Sequence, residues 1–138
     1  MTPEVRTRIL VVDDDQATLL CLAKVLEPAG EVVCAPDGAE ALNAFGEALA
    51  QGRPFALVCM DICMPKLDGQ EALQALRALE ARHNTPPGKE AKVVMVSSLD
   101  DAGNVTQAYF HGLADGYVQK PLRLAAFRDE LRKVGFLL

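Results

Sequence analysis

The chain has 138 residues, of which 50% are hydrophobic and 24% are charged, as is typical of one globular domain with a full core. The net charge of −5 argues against direct binding of nucleic acid, because contacts to phosphates need a basic face. No apolar run approaches the roughly 20 residues of a membrane span, and the amino terminus lacks the apolar core of a signal peptide, so we expect a cytoplasmic protein without membrane insertion.

Five strand-like apolar runs alternate with helical patterns along the chain. The runs cover residues 9–12, 32–35, 56–60, 93–96 and 116–119. Several of these runs are continuously apolar rather than alternating, which is typical of strands that are buried on both faces of a sheet.

Apolar residues recur at helical spacing between the strand-like runs. The fourth predicted helix, over residues 104–111, has the shortest pattern, and Asp37 with Glu40 three residues later predicts the N-cap of the second helix. The other inward-facing positions are Leu19, Leu22, Leu26 and Ala29 in the first helix, Leu42, Phe45 and Leu49 in the second, Ala72, Leu76 and Leu79 in the third, and Leu124, Phe127, Leu131 and Val134 in the fifth.

This alternation predicts an α/β fold with one parallel five-stranded sheet and helices on both of its faces. The flavodoxin-like, doubly wound strand order is 2-1-3-4-5, and its ligand crevice lies beside strands 1 and 3, where the order reverses. We expect a single domain over residues 1–138 with a core from about residue 8 to residue 134.

The four cysteines do not form a recognisable framework. Cys21, Cys34, Cys59 and Cys63 contain no CxxC pair, and their positions suit neither a zinc site nor a set of disulfides. We therefore expect buried free thiols at these positions.

Polar side chains follow four of the predicted strands, at the points where those strands end. Asp13 and Asp14 follow the first run, Asp61 the third, Ser97 the fourth and Lys120 the fifth. The carboxyl ends of parallel strands meet at one edge of a sheet, so these groups should converge. Three nearby carboxylates repel one another, and a hard cation such as Mg²⁺ relieves that repulsion.

The convergence of these groups indicates phosphoryl chemistry at the predicted edge. A carboxylate such as Asp61 can form an aspartyl phosphate, and Lys120 can balance the charge of the phosphoryl group. The alternative is that these residues are N-caps and solvated loop charges, which would explain any one of them alone but not five at four strand ends.

With these residues in place, the chain resembles the receiver domain of response regulators in two-component signalling, including chemotaxis-type single-domain receivers. The resemblance covers roughly residues 8 to 134. It rests on the ordered segments ILVVDDD (residues 9–15), MDICMPKLDG (60–69), VSS (96–98) and GYVQKP (116–121).

The resemblance implies a role for each residue of the predicted site. Asp61 would accept a phosphoryl group from the phosphohistidine of a sensor histidine kinase, or exchange it with a histidine phosphotransfer protein. Asp13, Asp14 and Asp61, with the backbone carbonyl of Cys63, would hold Mg²⁺ or Mn²⁺. Lys120 would pair with Asp61 before phosphorylation and with the phosphoryl group afterwards.

The resemblance also implies a conformational switch that signals to a downstream protein. Ser97 would move to donate to the phosphoryl group, and Tyr117 would then turn inward; the alternative for Tyr117 is a packed tyrosine with its hydroxyl in water. Output would use the face of the predicted fourth helix, fifth strand and fifth helix. The chain would be a signalling domain that catalyses its own phosphorylation and dephosphorylation, either alone or within a larger regulator. The bond between Lys120 and Pro121 resembles the cis peptide of the family.

Two positions depart from residues that help to place an attacking water in the family. Cys63 lies two residues after Asp61, and Leu99 lies two residues after Ser97. An apolar pair would position water poorly, so we hypothesise a comparatively long-lived aspartyl phosphate, which Leu99→Glu should shorten.

Two other functions compete with this interpretation. The run from Asp13 to Leu19 also resembles the start of haloacid-dehalogenase-type phosphatases, with Asp13 as nucleophile and Asp15 as acid/base, but that function leaves Asp61 without a role. A binding module that works without phosphorylation is the other alternative. We expect Asp15 to face solvent or to cap the first helix, and residues 134–138 either to pack back on the fold or to form a docking contact.

Overall fold

A computed structural model of the chain describes residues 7–62, 69–97 and 113–136. Its five strands form one parallel sheet with the order β2-β1-β3-β4-β5. The predicted flavodoxin-like fold and strand order are therefore confirmed. The strands are β1 (Arg8–Val12), β2 (Glu31–Ala35), β3 (Leu57–Asp61), β4 (Lys92–Ser97) and β5 (Gly116–Gln119).

Four α-helices connect or follow these strands within the described ranges. They are α1 (Gln16–Leu26), α2 (Gly38–Ala50), α3 (Gly69–Arg82) and α4 (Leu124–Lys133). The helix numbered α4 is the one predicted as fifth, because the predicted fourth helix over residues 104–111 lies outside the described residues. Ala29, predicted in the first helix, lies instead in a 3-10 turn (Glu27–Ala29), since Pro28 has no N–H for the helical ladder.

Two apolar clusters cover the two faces of the sheet. Alternate residues of β1 divide between them: Leu10 packs with the inward faces of α2 and α3, and Ile9 packs with those of α1 and α4. Phe45 and Phe127 are fully buried members of the two clusters. The predicted N-cap of α2 is also confirmed, because the Asp37 side chain accepts a hydrogen bond from the Glu40 N–H at 2.8 Å.

Some burial predictions are wrong. Cys59 is buried as a free thiol, but Cys21 and Cys34 are exposed free thiols. Cys34 is exposed because β2 is an edge strand, and Cys21 faces water on the outer side of α1. Leu124 is also half exposed, since it begins α4 one turn before the buried stripe of that helix, which starts at Phe127.

The carboxyl-terminal residues that the structure describes pack back on the fold. Val134 is buried, and Phe136 packs against the cluster between the sheet, α1 and α4. Residues 137–138 lie outside the described ranges. Within those ranges, we find no helix with the length and apolarity that crossing a membrane requires.

Candidate functional site

Three carboxylates and one ammonium group meet at the carboxyl edge of the sheet. Asp13 and Asp14 follow β1, Asp61 is the last residue of β3, and Lys120 follows β5. The Nζ atom of Lys120 lies 3.1 Å from Oδ2 of Asp13 and 3.3 Å from Oδ2 of Asp61. The structure therefore brings together four of the residues that the sequence predicted at this edge.

We call Asp13, Asp14 and Asp61 the carboxylate cluster. One carboxylate oxygen from each of the three residues lies within 4.8 Å of the others. Asp13 is fully buried and Asp61 is 4% exposed, whereas Asp14 is exposed. The cluster therefore has two desolvated carboxylates and one that faces solvent.

The carboxylate cluster fits a hard divalent cation. Oδ1 of Asp13 accepts a hydrogen bond from the Asp15 N–H at 2.8 Å. Oδ2 of Asp13 is fully buried, and the Lys120 ammonium lies 3.1 Å away. Buried carboxylates are costly unless cations balance their charge, and one ammonium beside three carboxylates leaves negative charge to be balanced. Within the described ranges the ligands of the cluster are all carboxylate oxygens, which suit Mg²⁺ or Mn²⁺ better than zinc.

Lys120 is held in its charged form by the two buried carboxylates. Partial burial on its own would lower the pKa of Lys120, but the hydrogen bond and charge of Asp13, followed by those of Asp61, outweigh it. The net effect raises the pKa of Lys120 above its ordinary value of 10.5. The ammonium is therefore a fixed positive charge between β1 and β3 at neutral pH.

Comparison with known proteins assigns this arrangement to a family. Residues 9–132 match the response regulator receiver domain family. The chain belongs to that family. The receiver domain is 41% identical over 119 residues to the transcriptional regulatory protein PrrA of Mycobacterium tuberculosis, covering 86% of this chain and 45% of PrrA. It is 37% identical over 117 residues to the sensor histidine kinase GacS of Pseudomonas protegens, covering 83% of this chain and 12% of GacS.

Solved receiver structures have the same fold. The receiver domain of the histidine kinase CKI1 from Arabidopsis thaliana, in complex with Mg²⁺ and BeF₃⁻, matches with a TM-score of 0.77 at 28% identity over 93% of this chain and 89% of that one. A receiver domain protein from Clostridium thermocellum matches with a TM-score of 0.76 at 25% identity over 93% of both chains. Because the chain spans less than half the length of PrrA and GacS, the likeness concerns their receiver portions.

Asp15 caps α1 in this receiver domain, as expected. Its carboxylate accepts hydrogen bonds from the Ala17 N–H at 3.3 Å and from the Thr18 hydroxyl at 2.6 Å. The Thr18 hydrogen bond is the main reason that the pKa of Asp15 lies below its ordinary value. Asp15 is exposed, and its carboxylate is engaged by hydrogen bonds from the first turn of α1. Asp13 and Asp14 are therefore the cluster residues after β1.

Gly69 brings the start of α3 against the end of β3. Its N–H donates a hydrogen bond to the carbonyl oxygen of Ile62 at 2.7 Å. A Cβ atom at this position would lie 2.5 Å from the carbonyl oxygen of Asp61 and 2.7 Å from Cα of Ile62. The glycine in the MDICMPKLDG segment is therefore required for close packing of main chain on main chain.

The remaining predicted site residues are described to different extents. The backbone of Ser97 pairs with Gln119 at the end of β4, and only its backbone is described. Tyr117 is partly buried against the cluster under α2 and α3. The Lys120–Pro121 bond is cis, as expected. Cys63 and Leu99, with the lifetime hypothesis that depends on them, lie outside the described residues.

Sequence reasoning missed one contact beside the predicted switch residue. Oε1 of Glu130, on α4, accepts a hydrogen bond from the backbone N–H of Tyr117 at 3.0 Å. The same carboxylate lies against Gly116, where a Cβ atom would come within 3.0 Å of Oε1. The sequence has a glycine at the start of this strand and an acidic residue on the inward side of the last helix. Neither feature indicates that the two residues are in contact.

Proposed function

We propose that this receiver domain accepts a phosphoryl group on Asp61 from the phosphohistidine of a sensor histidine kinase or a histidine phosphotransfer protein, in a reaction that requires Mg²⁺ or Mn²⁺. The observation that supports this most is the placement of a buried Asp61 carboxylate 3.3 Å from Lys120, within a cluster that fits a divalent cation. Family membership supports the same function.

In the proposed transfer, a carboxylate oxygen of Asp61 attacks the phosphorus of the donor. A phosphorus–oxygen bond forms as the phosphorus–nitrogen bond of phosphohistidine breaks, and the imidazole leaves with that electron pair. Asp13, Asp14, Asp61 and the backbone carbonyl of Cys63 would hold the divalent cation, which would supply positive charge to offset that of the phosphoryl group. Attack by water on the same phosphorus later breaks its bond to the Asp61 oxygen, which restores the carboxylate and releases inorganic phosphate.

Lys120 balances the charge before and after this transfer. In the unphosphorylated domain its ammonium offsets the charges of Asp13 and Asp61, which lie within 3.3 Å. After transfer the phosphoryl oxygens replace the Asp61 carboxylate as its partner. Ser97 donates its hydroxyl to the phosphoryl group, and Tyr117 shifts inward against the cluster it already contacts.

The proposed output is a change of the surface around β5 and α4, together with the predicted helix over residues 104–111. A downstream protein would bind one of the two states better, and phosphorylation would shift the balance between them. We propose that residues 1–138 act as one cytoplasmic signalling domain, either alone or within a larger regulator, without direct contact to nucleic acid.

The test is intact-protein mass after incubation with acetyl phosphate and Mg²⁺, on the wild type and on Asp61→Asn. We expect one phosphoryl adduct that needs the metal and is absent from the variant. A folded wild type that gains no adduct would favour a binding module that works without phosphorylation. An adduct that survives in Asp61→Asn would instead point to Asp13 and to the phosphatase alternative.

A further inference from the structure

A partly buried ion-pair network lies at the amino edge of the sheet, opposite the carboxylate cluster. All five N–H groups of the Arg77 guanidinium donate hydrogen bonds, at distances from 2.8 to 3.1 Å. The acceptors are the carboxylates of Glu80 and Asp115 and the carbonyl oxygens of Ala91 and Leu113. Arg77 therefore has no donor left for a ligand. The network instead links α3 to the segments that precede β4 and β5.

The carboxylates of the network tie it to the backbone at the start of β4. Glu80 is 3% exposed, and its second oxygen accepts a hydrogen bond from the Ala91 N–H at 2.7 Å. Oδ2 of Asp115 accepts from the Val93 N–H at 2.8 Å, and the Asp115 N–H donates to the Val93 carbonyl at 2.8 Å. Since Ala91 precedes β4 and Asp115 precedes β5, Arg77 fixes the starts of both strands to α3.

The strand β5 depends on this anchor more than the central strands do. It is a four-residue strand at the edge of the sheet and pairs only with β4 among the described strands. Lys120 follows its carboxyl end, whereas Leu113 and Asp115 precede its amino end. A shift of the start of β5 would therefore move Lys120 relative to Asp61, which is anchored separately on the central strand β3.

We propose that Arg77 is a positioning residue for phosphoryl transfer: by holding Leu113 and Asp115, it fixes β5 and so places the Lys120 ammonium opposite Asp61. This inference rests on the proposed function of Lys120. Arg77 does not contact the site itself, and it acts only through the strand whose start it binds.

The test measures the dissociation constant for beryllium fluoride, a phosphoryl analogue, in saturating Mg²⁺. The variant is Arg77→Lys, because an ammonium with three donors on a flexible stem cannot reproduce the five-bond planar contact. We expect binding weaker by about tenfold, less than the roughly 100-fold that a misplacement of about 1 Å can cost a reaction. An unchanged dissociation constant in a folded Arg77→Lys protein would overturn the inference.

A double-mutant cycle separates positioning of Lys120 from a general structural effect. In a Lys120→Gln background, Arg77→Lys should not weaken beryllium fluoride binding further, since the group that it positions is gone. An equal weakening in both backgrounds would overturn the proposal. If wild-type protein does not bind beryllium fluoride with Mg²⁺ at all, the proposed function fails, and that outcome differs from a failure of the inference alone.

The matched control is Arg53→Lys, which alters an ion pair with Glu31 at the start of β2, on the opposite side of the sheet from β5. It should leave the dissociation constant unchanged. Should Arg77→Lys not fold, Asp115→Asn replaces it, because asparagine can still accept from the Val93 N–H but loses the charge facing Arg77. Weaker binding by folded Asp115→Asn supports the proposal, and unchanged binding overturns it.

Discussion

The Cα atom of Gly69 faces the carbonyl oxygen of Asp61 with no room for a side chain between them. A Cβ atom there would lie 2.5 Å from that oxygen, a distance that no relaxed contact allows. Any side chain at position 69 must push α3 away from β3 or displace the backbone that carries the Asp61 carboxylate. The geometry of the site therefore depends on a residue that contributes no functional group to it.

Gly69→Ala should destabilise the domain and slow its phosphorylation. Overpacking of this kind costs about 1–3 kcal/mol, and part of the strain would displace Asp61. Urea unfolding and the rate of adduct formation with acetyl phosphate measure the two effects. The control is Gly46→Ala in α2, where a Cβ atom would make an ordinary van der Waals contact with Leu79 at 3.8 Å. That variant should be about 0.5–1 kcal/mol more stable than wild type, since alanine favours the helix. Equal stability of the two variants would contradict this account.

Lys120→Met should leave two buried carboxylates without a compensating charge. Breaking a buried ion pair by removal of one partner costs about 3 kcal/mol. Solvent screening lowers this cost here, because the lysine side chain is 26% exposed. Added Mg²⁺ should return part of the lost stability, because the cation replaces the missing charge. The free energy of unfolding with EDTA and with Mg²⁺ tests this, and a variant as stable as wild type in EDTA would refute it.

The stabilising effect of Lys120 should disappear at high pH. The pKa of Lys120 is raised in the folded domain above its ordinary value of 10.5, so its contribution is fully present below that value. It is lost as the pH rises through the raised pKa, because the unfolded chain has then already released a proton that the folded state still holds. The difference in unfolding free energy between wild type and Lys120→Met should therefore shrink above pH 10.5. A difference that stays constant there would argue against the ion pairs.

Cys59 should add its own alkaline sensitivity. Burial raises the pKa of its thiol from 9.0 to about 12. Between these values the unfolded chain loses the thiol proton while the folded domain keeps it, so stability falls as pH rises, by at most about 1.4 kcal/mol per pH unit. Cys59→Ala removes this component and should show a shallower slope over the same pH range. Identical slopes would mean that the thiol ionises equally well in both states.

Asp15→Asn should leave phosphorylation intact. Asparagine is a good N-cap and can still accept from the Ala17 N–H, so α1 should keep its start. Asp15→Ala should instead lower the melting temperature while still gaining the Asp61 adduct. A phosphatase that uses Asp15 as acid/base would lose turnover in both variants, so loss of phosphorylation in a folded Asp15→Asn would reopen that alternative.

The convergence of Asp13, Asp61 and Lys120 could be predicted because strand ends in a parallel sheet meet at one edge, whatever the side chains between them. Burial of Cys34 was predicted from its apolar run, and this was wrong. The predicted strand order makes the second strand an edge, and that alone would have indicated exposure. The network of Arg77 could not be predicted. Glu80 lies four residues after Leu76, on the inward face of α3, but Ala91 and Leu113, whose carbonyl oxygens accept from Arg77, lie in loops, for which the sequence has no periodic signal.

The hydrogen bond from Tyr117 to Glu130 also determines how another protein can use this side of the sheet. Edge strands offer unpaired N–H and C=O groups to which an extended peptide can add as a further strand. At β5, the Tyr117 N–H is already satisfied by a carboxylate that reaches over from α4. A partner that adds a strand at this edge must therefore displace Glu130 from the Tyr117 N–H, and otherwise it recognises the side chains that β5 and α4 present.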